Sequence, residues 1–92
     1  MKIRFEEQFV KSLAQKIDYI AIDNPSASVK FKNDILQKCK DVANMPFKYR
    51  KSIYHEDENV RDLIHKGYTA VYMVEEDFVS FVALINHEKY TI

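Results

Sequence analysis

Val60-Arg61-Asp62-Leu63-Ile64-His65-Lys66-Gly67-Tyr68-Thr69-Ala70-Val71-Tyr72 decides how this chain folds. Two runs rich in β-branched and aromatic residues flank a two-residue break, Lys66-Gly67, which holds the one glycine of the sequence. That is the pattern of two antiparallel strands joined by a tight turn. Working outward, the second strand extends to Glu75, a Glu76-Asp77 turn follows, and Phe78 to Asn86 reads as a further strand. On the other side, Glu56-Asp57-Glu58-Asn59 is a polar turn, and Lys51 to His55 reads as the strand before it. The second half is thus an antiparallel meander. Its last two strands are apolar on both faces: Tyr68, Ala70, Tyr72 and Val74 alternate with Val71 and Met73, and Phe78, Val82 and Leu84 with Val79, Phe81, Ala83 and Ile85.

The first half changes period. Phe9, Val10, Leu13, Ile17, Ile20 and Ala21 recur at three- and four-residue spacings, which predicts an amphipathic helix ending near Ile22. Asp23-Asn24-Pro25-Ser26 then combines a cap residue with Pro at a first helical position, where its missing N–H and fixed φ cost nothing. The second helix has Ala27, Phe31, Ile35, Cys39 and Val42 as its core face and leaves Lys30, Lys32, Lys38 and Lys40 to solvent. Met45-Pro46 ends it, because the residue before proline is pushed out of helical geometry. So short a link makes the helices an antiparallel hairpin. Ahead of it, Ile3 and Phe5 alternate with Lys2 and Arg4 as a short edge strand.

The expected fold is therefore α+β: an N-terminal short strand and an antiparallel helical hairpin packed on a twisted antiparallel β-sheet, with residues 1–92 as a single domain. One hairpin covers one face of a sheet. The other face, apolar as well, is expected to meet a partner, a substrate or another copy of the chain.

Composition bounds the function. A chain of 92 residues is one domain and cannot divide a core between two. Its 47% hydrophobic content and twelve aromatic residues exclude disorder. A lone cysteine, Cys39, rules out an intramolecular disulfide framework, and its place on a helical apolar stripe makes it a small buried hydrophobe rather than a nucleophile. The opening with Lys2 and Arg4 has no apolar signal segment, so the expected location is cytoplasmic. Phe78 to His87, the longest nearly uncharged stretch, is about half of what a membrane span requires, and no membrane association is expected. Fourteen basic residues balance fourteen acidic ones, which disfavours non-specific binding along a nucleic acid. The zero hides an asymmetry: residues 1–54 carry eleven basic and six acidic side chains, residues 55–92 three and eight.

Among residues that could carry chemistry, His55, His65 and His87 are scattered without metal-ligand spacing, so no metal is implied. No glycine-rich phosphate loop or nucleophile motif is present, and no cofactor is expected. Three features remain. Lys48-Tyr49-Arg50-Lys51 gathers three cations around an aromatic between helix and sheet, suited to phosphates or a carboxylate surface. Arg61 lies in a strand beside Asp62, which alternation sends to the opposite face, so Arg61 either pairs with another carboxylate or acts in catalysis. His87-Glu88-Lys89-Tyr90 collects an acid/base candidate, a cation and a phenol after the last strand.

Tyr19-Ile20-Ala21-Ile22-Asp23-Asn24-Pro25-Ser26-Ala27, the Pro46 loop, Val60 to Tyr72 and the closing Ile85-Asn86-His87-Glu88-Lys89 together resemble the RelE/ParE toxin superfamily over essentially the whole chain. The "YIA-x-DNP" link and the "VRDL…GY…VY" strand pair are its most specific pieces. The resemblance implies the toxin half of a bacterial type II toxin–antitoxin module, which arrests growth when free and assembles with a cognate antitoxin that neutralises it. It also implies a helical hairpin on a twisted antiparallel sheet.

The superfamily divides by target. RelE-like members cleave mRNA on the ribosome; on that reading Arg61, His87 and Tyr90 would be catalytic, with His87 as general acid and Arg61 stabilising the phosphorane, and Lys48, Arg50, Lys51 and Lys89 would bind the target. ParE-like members poison DNA gyrase without that constellation. The RNase-like branch generally carries Arg in its third strand in a Tyr/His-Arg-x-x-Tyr pattern, whereas this sequence reads Tyr68-Thr69-Ala70-Val71-Tyr72. Thr69 in place of the cation, zero net charge and an acidic second half favour gyrase over the ribosome and mRNA as target. The same loss also admits a non-toxic interaction domain that has kept the fold.

Overall fold

The computed structural model describes residues 1–86, and the cap at Asn24 organises its first half. The Asn24 Oδ1 atom accepts the Ala27 N–H at 3.1 Å, and Pro25 takes the first helical position. Helix α1 (Glu7–Asp23) therefore turns at once into α2 (Pro25–Asn44). Strand β1 (Lys2–Phe5) precedes them, and β2 (Arg50–Lys51), β3 (Val60–His65), β4 (Tyr68–Val74) and β5 (Phe78–Asn86) follow.

The five strands form one sheet in the order β1-β5-β4-β3-β2. Strands β2 to β5 are the expected antiparallel meander. Strand β1 joins it in parallel beside β5, with Ile3 opposite Val79 and Phe5 opposite Phe81, so the sheet is mixed. The helical hairpin thus crosses from one edge of the sheet to the other, covering one face on the way. At the β3–β4 turn Lys66 and Gly67 have φ of 46° and 81°, the left-handed pair that a two-residue hairpin loop needs to match strand twist.

The core lies between hairpin and sheet. Phe9, Leu13, Ile35, Cys39 and Val42 from the helices meet Leu63, Ala70, Tyr72, Val74, Val79 and Phe81 from the strands. Phe5, Phe9 and Phe81 form a three-ring cluster with centroids 5.4 to 5.6 Å apart. Val10, placed on the α1 apolar stripe by its spacing, is half exposed, because Phe9 takes the core position at that level.

Strand β5 departs from simple alternation. Val71 pairs with Ala83 but Tyr72 with Phe81, so Val82 is an extra residue. This bulge puts Phe81 and Leu84 on the same, helix-covered face although two residues, Val82 and Ala83, separate them. The opposite face carries Ile64, Thr69, Val71, Met73, Ala83 and Ile85, of which Thr69 and Val71 are buried and Ile64 is half exposed.

Candidate functional site

The loop between α2 and β2 returns across the helix-covered face at the β3 edge, and buried groups of the sheet hold it. Tyr72, fully buried in the middle of β4, donates its hydroxyl hydrogen bond to the Pro46 carbonyl at 2.6 Å. Burial pushes that phenol well above its ordinary pKa, so it remains a proton-bearing donor. Tyr49 sets its ring edge-on to Tyr72, with centroids 6.4 Å apart at 87°.

Arg61 stands directly opposite Tyr72 in the ladder, so it too faces the helix side. Its Nε donates to the Glu58 carbonyl at 2.9 Å and a terminal guanidinium nitrogen to the Tyr49 carbonyl at 3.1 Å. The Phe47 ring covers the same guanidinium at 4.8 Å. This cation therefore ties the α2–β2 loop to the start of β3.

The next residue points the other way. Asp62, whose side chain is fully buried, receives Arg50 at 3.3 Å and the Ile53 N–H at 3.1 Å on the same oxygen, Oδ2. Asp62 and Arg50 are direct ladder partners. These bonds explain why β2 is two residues long rather than the run from Lys51 to His55 that the sequence suggests. The Ile53 N–H goes to a carboxylate and the Tyr54 N–H to the Ser52 hydroxyl at 3.1 Å, so neither backbone donor serves the ladder.

The predicted cationic cluster is divided accordingly. Arg50 is held by Asp62, Lys51 pairs with Glu58 at 3.1 Å with both side chains exposed, and Lys48 rests 5.7 Å from the Tyr49 ring centre. Lys48, Arg50, Lys51 and Arg61 are thus brought to one region, but Arg50 and Arg61 serve the loop and Lys48 and Lys51 face solvent beside a half-exposed Phe47. His87, Lys89 and Tyr90 lie outside the described residues. The parts that sequence reading missed are Phe47, Tyr72 and Asp62. Each acts through a cross-strand or loop partner whose register the sequence does not display.

Elsewhere, Cys39 is fully buried and desolvation pushes its thiol up to about 12, far from the range of a nucleophile. Thr69, at the position where the RNase-like pattern has a cation, is wholly buried. Described residues include no cluster of three His, Cys, Asp or Glu side chains able to hold a metal ion. Nor is any of their helices long and apolar enough to cross a membrane. Among the described residues the arrangement is a braced loop.

Comparison with known proteins agrees with the fold. Residues 3–90 match the family described as the ParE toxin of the type II toxin–antitoxin system, parDE. Among solved structures, the chain is similar to one from the chromosomal ParDE TA system of P. aeruginosa, with a TM-score of 0.75 at 16% identity, covering 94% of this chain and 95% of that one. No curated protein matches in sequence.

Proposed function

The chain belongs to the ParE toxin family of type II toxin–antitoxin systems, and from that membership we propose that it arrests growth by acting on DNA gyrase in the cytoplasm and is neutralised by a cognate antitoxin in a hetero-oligomer. The observation that carries the choice of target is the state of Arg61. Cleaving a phosphodiester requires a cation free to meet the phosphorane and an acid/base pair beside it. Arg61 instead commits two of its five guanidinium donors to the Glu58 and Tyr49 carbonyls, which hold it against the loop. Beside it stands Tyr72, a buried phenol locked on a backbone carbonyl. Thr69 in place of the strand cation supports the same reading, since an uncharged buried hydroxyl offers nothing to an RNA backbone.

Induction without antitoxin tests it, following growth, pulse-labelled translation and reporter-plasmid supercoiling in the same cultures for wild type and His87→Ala. Both are expected to arrest growth and to relax or break DNA while translation initially continues. Immediate loss of translation with supercoiling intact, rescued by His87→Ala, would establish the ribosome-dependent RNase instead. Absence of arrest would leave an interaction domain.

A further inference from the structure

Among the described residues the sheet ends in β1 on one side and in β2 on the other, and β2 stops before its sequence does. Its pairing with β3 sets Arg50 opposite Asp62 and Lys51 opposite Arg61, then adds one more bond, from the Ser52 N–H to the Val60 carbonyl at 2.9 Å. Consecutive N–H groups of a strand point to opposite sides. With Ser52 directed at β3, a strand that continued would aim the Ile53 N–H away from the sheet as an open edge donor. Instead that N–H turns onto Asp62 Oδ2 at 3.1 Å. The Tyr54 N–H goes to the Ser52 hydroxyl and the Val60 N–H to the Asp57 carbonyl, each at 3.1 Å. The chain thus leaves the ladder where its edge would open.

Asp62 is poorly placed for a purely stabilising role. Its side chain is wholly buried, its Oδ1 has no hydrogen-bond partner among the described residues, and Arg50, 44% exposed, can be solvated without it. A buried carboxylate satisfied on one oxygen offsets little of its own desolvation. What the carboxylate does is hold the backbone of Ile53, whose side chain is 68% exposed, off the edge.

The residues around Ile53 define what an open edge would accept. In an antiparallel pair of identical strands centred on Ile53, Lys51 stands opposite His55, Arg50 opposite Glu56 and Lys48 opposite Glu58. Cations before the centre meet carboxylates after it, and the two-fold arrangement makes each such pair twice. Natural sheets guard edges of this kind with short edge strands and inward-pointing charges.

We propose that Asp62 is a latch that closes the β2 edge, and that the occupant it keeps out is a second copy of this chain, adding antiparallel through residues 50–56. The proposal is independent of the target on which the toxin acts.

The test follows the purified full chain by sedimentation and by amide hydrogen exchange at about 10 μM and about 1 mM, a range over which unpaired strand edges associate. In wild type the Ile53 amide is expected to exchange slowly at both concentrations; fast exchange there would overturn the proposal without any variant. Asp62→Val places a strand-forming side chain beside Val71. It is expected to raise the average mass toward twice the wild-type value at the higher concentration, and to make Ile53 protection depend on concentration. Asp62→Asn keeps an oxygen for the Ile53 N–H and is expected to sediment as wild type. Adding Ile53→Pro to Asp62→Val removes the edge donor and is expected to restore the wild-type mass. Any of three further results contradicts the proposal: Asp62→Val sedimenting as wild type at both concentrations, Asp62→Asn associating as strongly as Asp62→Val, or association that survives Ile53→Pro, which would assign it to the uncovered sheet face or to partial unfolding.

Discussion

Replacing Arg61 separates a loop-bracing arginine from a catalytic one. Two hydrogen bonds to backbone carbonyls and one ring contact would be lost in Arg61→Ala. With the side chain half-buried, each hydrogen bond contributes about 1 kcal/mol net, and a cation over a half-exposed Phe47 about 0.5 kcal/mol. The sum is about 2.5 kcal/mol. Arg61→Lys keeps the charge but has no fork to span the Glu58 and Tyr49 carbonyls together, so it should lose about 1 to 1.5 kcal/mol. Urea unfolding measures this directly: at roughly 1 to 1.5 kcal/mol per molar urea for so short a chain, the alanine midpoint falls by about 2 M and the lysine midpoint by about 1 M. Growth arrest by Arg61→Lys should equal that of wild type at matched soluble protein. The reasoning fails if Arg61→Ala unfolds at the wild-type midpoint and no longer arrests growth, because the guanidinium would then be free in the native state and used for chemistry.

Tyr72→Phe removes the 2.6 Å bond to Pro46 and should cost about 1 kcal/mol in the same unfolding experiment, with faster amide exchange confined to residues 47–51; an unchanged midpoint contradicts the anchoring role. His65 has a folded-state pKa below the ordinary 6.5, chiefly through burial, so the unfolded chain takes up the proton first. The contribution of His65 to stability is therefore complete above that value and declines as pH falls below it, and His65→Leu should flatten the pH 5–7 limb of a melting-temperature profile; a profile unchanged by the substitution refutes the assignment. Cys39, with its thiol at about 12, should stay unmodified by a thiol-specific disulfide reagent at pH 8 in the native state and react at once in urea; rapid native-state labelling would place it at the surface.

Much of this architecture was legible because local signals agreed with one another. Asn24-Pro25 marks the helix boundary by chemistry that operates within four residues, and the β3, β5 and turn boundaries coincide with the alternation and with Lys66-Gly67. What escaped depends on register. The bulge at Val82 reverses the parity of half of β5, so no alternation rule could say that Phe81 and Leu84 share a face. Strand β1 pairs in parallel only because the hairpin carries the chain across the sheet. Likewise Asp62 pairs with Arg50, twelve residues away, and that capture cuts β2 short. The part of the candidate site within the described residues, Lys48, Arg50, Lys51 and Arg61, was read as a set of cations. The structure converts two of them into braces, a distinction visible only in their partners.

The most direct test of the proposed target uses purified protein with purified DNA gyrase, relaxed plasmid and ATP, beside a translation extract programmed with one mRNA. Gyrase-dependent supercoiling should fall as the protein is added while the mRNA stays intact. Unaffected gyrase together with mRNA cut on the ribosome would contradict the account.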